Sequence, residues 1–138
     1  MRLTLTVCLI LALGSPAHAQ NWDCDDADNL PQQGMNYCAD AEYRAADDEL
    51  NAVYKKVRGI LRDTAYDDLR NDGKTEAEAL RDAQLAWIKY RDLSCQMEGI
   101  HFRGGSMESL LVSSCLERLT RQRTQDLWLL VETGAGEQ

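Results

Sequence analysis

The chain has 138 residues, with 15 Lys plus Arg against 23 Asp plus Glu and a formal net charge of −8. That length holds one domain with a real core. The acidic balance excludes a nucleic-acid binder, which must neutralise phosphates with Lys and Arg, and suits a basic protein partner.

Residues 1–19 read as a cleaved signal peptide. Arg2 is its positive n-region, Leu3 to Leu13 its apolar h-region, and Ala17-His18-Ala19 an A-x-A cleavage site with Gln20 as the mature start. The apolar run is too short to span a bilayer. No cysteine follows the cleavage point, so no lipid anchor is expected, and no membrane anchor remains after cleavage. Removing this segment takes away Arg2 and leaves 119 residues with a net charge of −9. The expected location is a bacterial periplasm or the exterior.

Export makes disulfides the first reading of Cys24, Cys38, Cys95 and Cys115. Four cysteines allow three connectivities, and spacing alone does not choose among them. The expected bridges are Cys24–Cys38 and Cys95–Cys115, worth roughly 3 kcal/mol each by loop closure. A metal site is not expected, because no C-x-x-C occurs and His101 is the only mature histidine. No cofactor is expected either.

In chain order, residues 20–34 form an acidic, turn-rich arm carrying Asp23, Asp25, Asp26 and Asp28. From Met35 to about Asp63, Tyr43, Ala46, Leu50, Val53, Tyr54, Val57, Ile60 and Leu61 recur at helical spacing. Asn71-Asp72-Gly73 signals a turn, and Thr75 with Glu78 forms a capping box for a second helix over about 76–97. Its apolar face is Leu80, Ala83, Trp87, Ile88 and Cys95. Glycines 99, 104 and 105 mark a loop, and Ser106 is a good N-cap for a third helix over 107–132. That helix carries Leu110, Leu111, Cys115, Leu116, Leu119, Leu127 and Leu130. The expected fold class is all-α: a small up-down-up bundle of three long helices with an irregular N-terminal arm, stabilised by disulfides. Residues 20–132 make the single domain and 133–138 a flexible tail. The topology brings Cys38, Cys95 and Cys115 to one end of the bundle.

Polar residues interrupt the inner faces. Asp47 and Asn51 share a face of the first helix, Gln84 and Arg91 one of the second, Thr120 and Arg123 one of the third. A buried charge needs a partner, so an interhelical network is expected, with Asp47 facing Arg91 or Arg123. A register-setting role outweighs a ligand pocket. Nothing points to an enzyme. Adjacent acidic pairs do not face each other on a helix, and no nucleophile elbow, Walker loop or H-E-x-x-H occurs. A binding role fits better. The loop carrying Ile100, His101, Phe102 and Arg103 could supply apolar anchors, and the acidic arm could steer a basic partner. The competing readings are a loop that plugs the bundle end and an arm that serves solubility.

Several blocks carry a resemblance. They are Met35-Asn36 with Cys38-Ala39, Ala46-Asp47 with Glu49-Leu50-Asn51 and Tyr54, then Gln84, Trp87, Tyr90-Arg91-Asp92 and Cys95. The last are Gly104-Gly105-Ser106-Met107, Cys115-Leu116, Leu119-Thr120, Arg123-Thr124 and Leu127. In this order the chain resembles the LprI-type lysozyme inhibitor N-terminal domain family over about residues 24–130. The resemblance implies an exported helical domain with paired cysteines that binds and blocks lysozyme, and it carries over no catalytic residue. Two features depart from the pattern: Gly34 stands where an acidic residue is common, and the lipid-anchoring cysteine is absent. The expected function is lysozyme inhibition by occlusion of the active-site cleft. The alternative is a periplasmic adaptor or immunity-type module for another envelope protein.

Overall fold

The computed structural model describes residues 22–63 and 73–135, without the side chains of 28, 63 and 133–135. The signal segment, Asn71-Asp72 and residues 136–138 lie outside the described residues. A 3-10 turn at Cys24–Asn29 leads into helix α1, Gln32–Asp63. Helix α2 spans Glu76–Glu98, a second 3-10 turn spans Ile100–Phe102, and helix α3 spans Ser106–Ala135.

The helix ends follow local chemistry. Helix α1 begins three residues before the apolar period does. The Pro31 carbonyl accepts from the Gly34 and Met35 N–H groups at 2.8 and 3.1 Å, and proline suits a first turn because it has no N–H to leave unpaired. At α2 both arms of the Thr75–Glu78 capping box are made. Just before it, Gly73 takes a φ of +72° that favours glycine. At α3 the expected cap is corrected: Ser106 is the first helical residue, and the Glu108 carboxylate accepts the Gly104 N–H at 2.7 Å. Helix α3 also continues to Ala135, past its expected end at 132.

Cross-helix bonds set the topology. Asn36 donates to the Ser106 carbonyl at 2.9 Å and Arg121 pairs with Glu42 at 2.9 Å. Lys56 lies over the Trp128 ring, 4.5 Å from its centroid. Helices α1 and α3 therefore run parallel. Cys95 is bonded to Cys115, Arg91 reaches Thr120, and Arg123 reaches Gln84, so α2 runs antiparallel to α3. The bundle is up-down-up, as the sequence predicts. The α1–α3 interface is by far the largest, and α2 leans on α3 more than on α1. Ala46, Thr120 and Thr124 are buried on α1 and α3, and such small side chains permit close helix approach.

The interior is layered along the axis. One end holds the buried Cys38, Cys95 and Cys115. The other holds Leu50, Val53, Val57, Leu80 and Leu127, with Tyr54, Leu61, Trp87, Trp128 and Val131 packed against them. Ile60, Ala83 and Leu130, expected on the inner faces, are exposed instead. A three-helix core covers a narrower arc of each helix than the apolar stripe spans, so positions at its margin face water.

Gly34 has a steric reason. A Cβ there would stand 2.9 Å from Leu30 Cβ and 3.0 Å from the Trp22 ring, which lies against the helix at this point. Gly34→Ala is expected to destabilise the protein by about 1–3 kcal/mol through overpacking and to red-shift Trp22 fluorescence as the ring is displaced. An unchanged denaturation midpoint and emission spectrum would refute that account.

Candidate functional site

The predicted polar positions form two linked clusters. Arg91 is 6 % exposed. Its guanidinium donates to Asp47 at 3.0 Å, to the Thr120 hydroxyl at 3.1 Å and to Asp92 at 3.0 Å. It also stacks on Tyr43 and Trp87, 5.4 and 5.1 Å from their ring centroids. Asn51 donates to Asp47 at 3.0 Å. One turn along the axis, Arg123 donates to the Gln84 side-chain oxygen at 3.1 Å and lies 5.9 Å from Trp87. Of the two partners foreseen for Asp47, the fold selects Arg91.

The sequence places Trp87 on one face with Gln84 and Arg91, but Tyr43 and Asp92 were missed as members, because each also reads as an ordinary face residue. Among the described residues no buried side-chain nitrogen or oxygen lacks a partner. The deeply buried polar atoms of the layer are therefore engaged with one another. The layer joins α2 to α1 through Asp47 and to α3 through Thr120 and Arg123.

The electrostatics agree with that pairing. Burial alone would lower the Arg91 pKa, but hydrogen bonds to Asp47 and Asp92 outweigh it and raise the pKa above its ordinary value. Burial raises the Tyr43 hydroxyl above 10.0, against the opposing pull of Arg91. A raised native pKa means that stability is complete below the unfolded value and is lost as pH climbs through the native one. The thermal midpoint is expected to fall above pH 10.0. Tyr43→Phe is expected to remove part of that fall, and identical alkaline profiles for the two proteins would contradict it.

The braced end of the bundle carries the exposed groups. Cys24 and Cys38 are bonded with their Cα atoms 5.5 Å apart, and Cys95 and Cys115 with theirs 5.4 Å apart. The first bridge ties the arm to α1, and the second ties the last turn of α2 to α3. After α2 the chain crosses α3 so closely that a Cβ on Gly99 would stand 2.8 Å from Val112 Cγ2. Backbone bonds then shape the turn: Phe102 N–H to Gly99 at 2.9 Å, and Gly105 N–H to Phe102 at 2.8 Å. Gly104 holds a φ of +80°. Ile100 is half-buried against the bundle end. His101, Phe102 and Arg103 are exposed, Phe102 by 44 %.

On the arm, Asp23, Asp25 and Asp26 are exposed, and the side chain of Asp28 lies outside the described residues. Asp23 accepts the Asp25 N–H at 3.1 Å and Asp26 accepts from Asn29 at 2.7 Å. Gln32 holds Asn36 at 2.8 Å, and Asn36 in turn holds the Ser106 carbonyl, so the roots of arm and loop are joined. Asn36 was not foreseen in this part. Its pairing with Ser106 is a contact between distant sequence blocks, and no local pattern announces it. Among the described residues no group of three His, Cys, Asp or Glu could hold a metal, and no helix is long and apolar enough to cross a membrane.

The fold defines a class: a disulfide-braced three-helix bundle with its exposed loop and arm stapled at one end. The chain belongs to the LprI lysozyme inhibitor family, whose profile, described as Lysozyme inhibitor LprI, matches residues 24–127. It is also 44 % identical over 127 residues to an uncharacterized protein of Rhizobium meliloti (strain 1021), covering 91 % of each chain. No solved structure matches it. The family is one of inhibitors, with lysozyme as its protein partner.

Proposed function

We propose that this protein is exported to the periplasm or beyond and inhibits lysozyme by laying the braced end of its bundle over the active-site cleft. One observation carries the reading: each disulfide anchors one exposed segment, and the Asn36–Ser106 bond joins the two at their roots. Phe102, with Ile100, His101 and Arg103 around it, is the anchor of the contact. Asp23, Asp25, Asp26 and Asp28 steer a basic enzyme toward it. A turn held by a disulfide and by backbone bonds loses little freedom on binding, which favours affinity.

The test is a cell-wall lysis assay in which the exported, oxidised protein is titrated against a basic animal lysozyme at low and moderate salt. Stoichiometric inhibition is expected, weakening as salt screens the charges. Phe102→Ala is expected to weaken inhibition about tenfold or more, as truncation of a central aromatic anchor does. No inhibition at large excess, or inhibition indifferent to Phe102→Ala, overturns the reading.

A further inference from the structure

Helix α2 is apolar on two faces, and the bundle uses one. The buried face is Ala77, Leu80, Gln84, Arg91 and Cys95. On the opposite side Ala79, Ala83, Ala86, Tyr90, Leu93 and Met97 follow one another at alternating spacings of four and three. That is the spacing of a coiled-coil seam, with Ala79 half-buried at its start. Tyr90, Leu93 and Met97 are 61, 53 and 60 % exposed, and Ala83 and Ala86 are exposed with them. A stripe facing water has no reason to keep this period, whereas a helix–helix contact does.

We propose that this face seats a second copy of the chain, with the two α2 helices antiparallel about a two-fold axis near residue 88. The sizes along the seam identify the occupant. The first three positions are all alanine and the last three are all large. In the antiparallel arrangement Ala79 meets Met97, Ala83 meets Leu93 and Ala86 meets Tyr90, so every layer pairs a small side chain with a large one. A parallel pair would stack large on large at one end and leave a gap at the other. Reversal by a two-fold axis makes a patch self-complementary.

From Ala79 to Met97 the face measures about 27 by 10 Å from helix geometry, on the order of 300 Å² per protomer. Two such faces make about 600 Å², below the roughly 1,000 Å² of a stable specific interface, so the dimer is a weak, reversible one. Each copy carries a formal charge of −8. Mutual repulsion opposes pairing and salt relieves it. Self-association therefore strengthens with salt, opposite to a charge-steered complex with a basic enzyme. The inference is independent of the lysozyme reading and can fail or stand without it.

The test is sedimentation velocity on the oxidised protein across a concentration series at low and moderate salt. The expected result is a monomer–dimer equilibrium shifted toward dimer by salt. Leu93→Glu is expected to weaken it by more than about tenfold, since a carboxylate would be buried in the seam. Its circular dichroism and thermal midpoint should match the parent, because Leu93 faces outward. Orientation is read by single added cysteines under mild oxidation. Lys89→Cys flanks the axis and is expected to cross-link to itself. Ala79→Cys is not, because its two copies lie about 27 Å apart. A monomer at every concentration, a dimer that survives Leu93→Glu, or self-cross-linking at residue 79 overturns the proposal.

Discussion

Arg91→Ala is expected to lower the unfolding free energy by about 3 kcal/mol, at the low end of the cost of breaking a buried ion pair. The end of the range is set by the partner. Arg91 is almost wholly buried, but the Asp47 side chain is 37 % exposed, so its charge stays partly hydrated when the guanidinium leaves. The rest of the loss is the cavity between Tyr43 and Trp87 and the Thr120 hydroxyl left buried without its donor. Arg91→Lys is expected to fall between the two proteins. An ammonium is a point charge and cannot serve Asp47, Asp92 and Thr120 with a planar fork. Asp47→Asn is expected to cost less than Arg91→Ala, since it removes an exposed partner and keeps a hydrogen-bond acceptor. Urea denaturation of the three variants checks the order. A midpoint for Arg91→Ala equal to the parent's would show that the layer does not hold α2 in place.

Removing the Cys95–Cys115 bridge by a paired change to alanine is expected to cost roughly 3 kcal/mol, from the loop it closes. For a domain of this size the midpoint should drop by on the order of 10 °C. Both sulfurs are buried, so alanine avoids the stranded hydroxyl that serine would leave. The change also has a local reading. It releases the last turn of α2 from α3 and with it the base of the 99–105 turn. Hydrogen exchange should rise there first and leave the Leu50–Leu127 layer at the far end protected. Removing Cys24–Cys38 instead should free the arm and Trp22 while that turn stays protected. If both changes loosened the whole bundle alike, the account of two separate staples would be wrong.

The arrangement of helices was legible because it is written in local chemistry. The spacing Leu50, Val53, Val57 and the Thr75–Glu78 box each involve only near neighbours in the chain. The start of α1 was misplaced because Gln32 and Gln33 are polar and carry no period, while the signal that mattered was Pro31. The margins of the apolar stripe failed at Ile60, Ala83 and Leu130 because periodicity gives a direction and not the width of the neighbour that covers it. Of the braced end, the residues of arm and loop were legible as exposed, turn-forming segments. That Asn36 joins them was not, since the bond spans seventy positions of chain.

The sequence by itself determined three amphipathic helices, an acidic chain, four cysteines of which three map to one end, and a set of charged residues that had to find partners. Those follow from composition and from periods of three and four. Only the tertiary structure decided which partners were found: Asp47 with Arg91 and not with Arg123, Gln84 with Arg123, Trp22 against Gly34. Only the structure showed that α2 turns one apolar face inward and leaves a second uncovered. The reason is common to all of these. A helix specifies its own faces, but what meets each face depends on axial offsets and rotations between helices, which are set by the summed packing of the whole bundle.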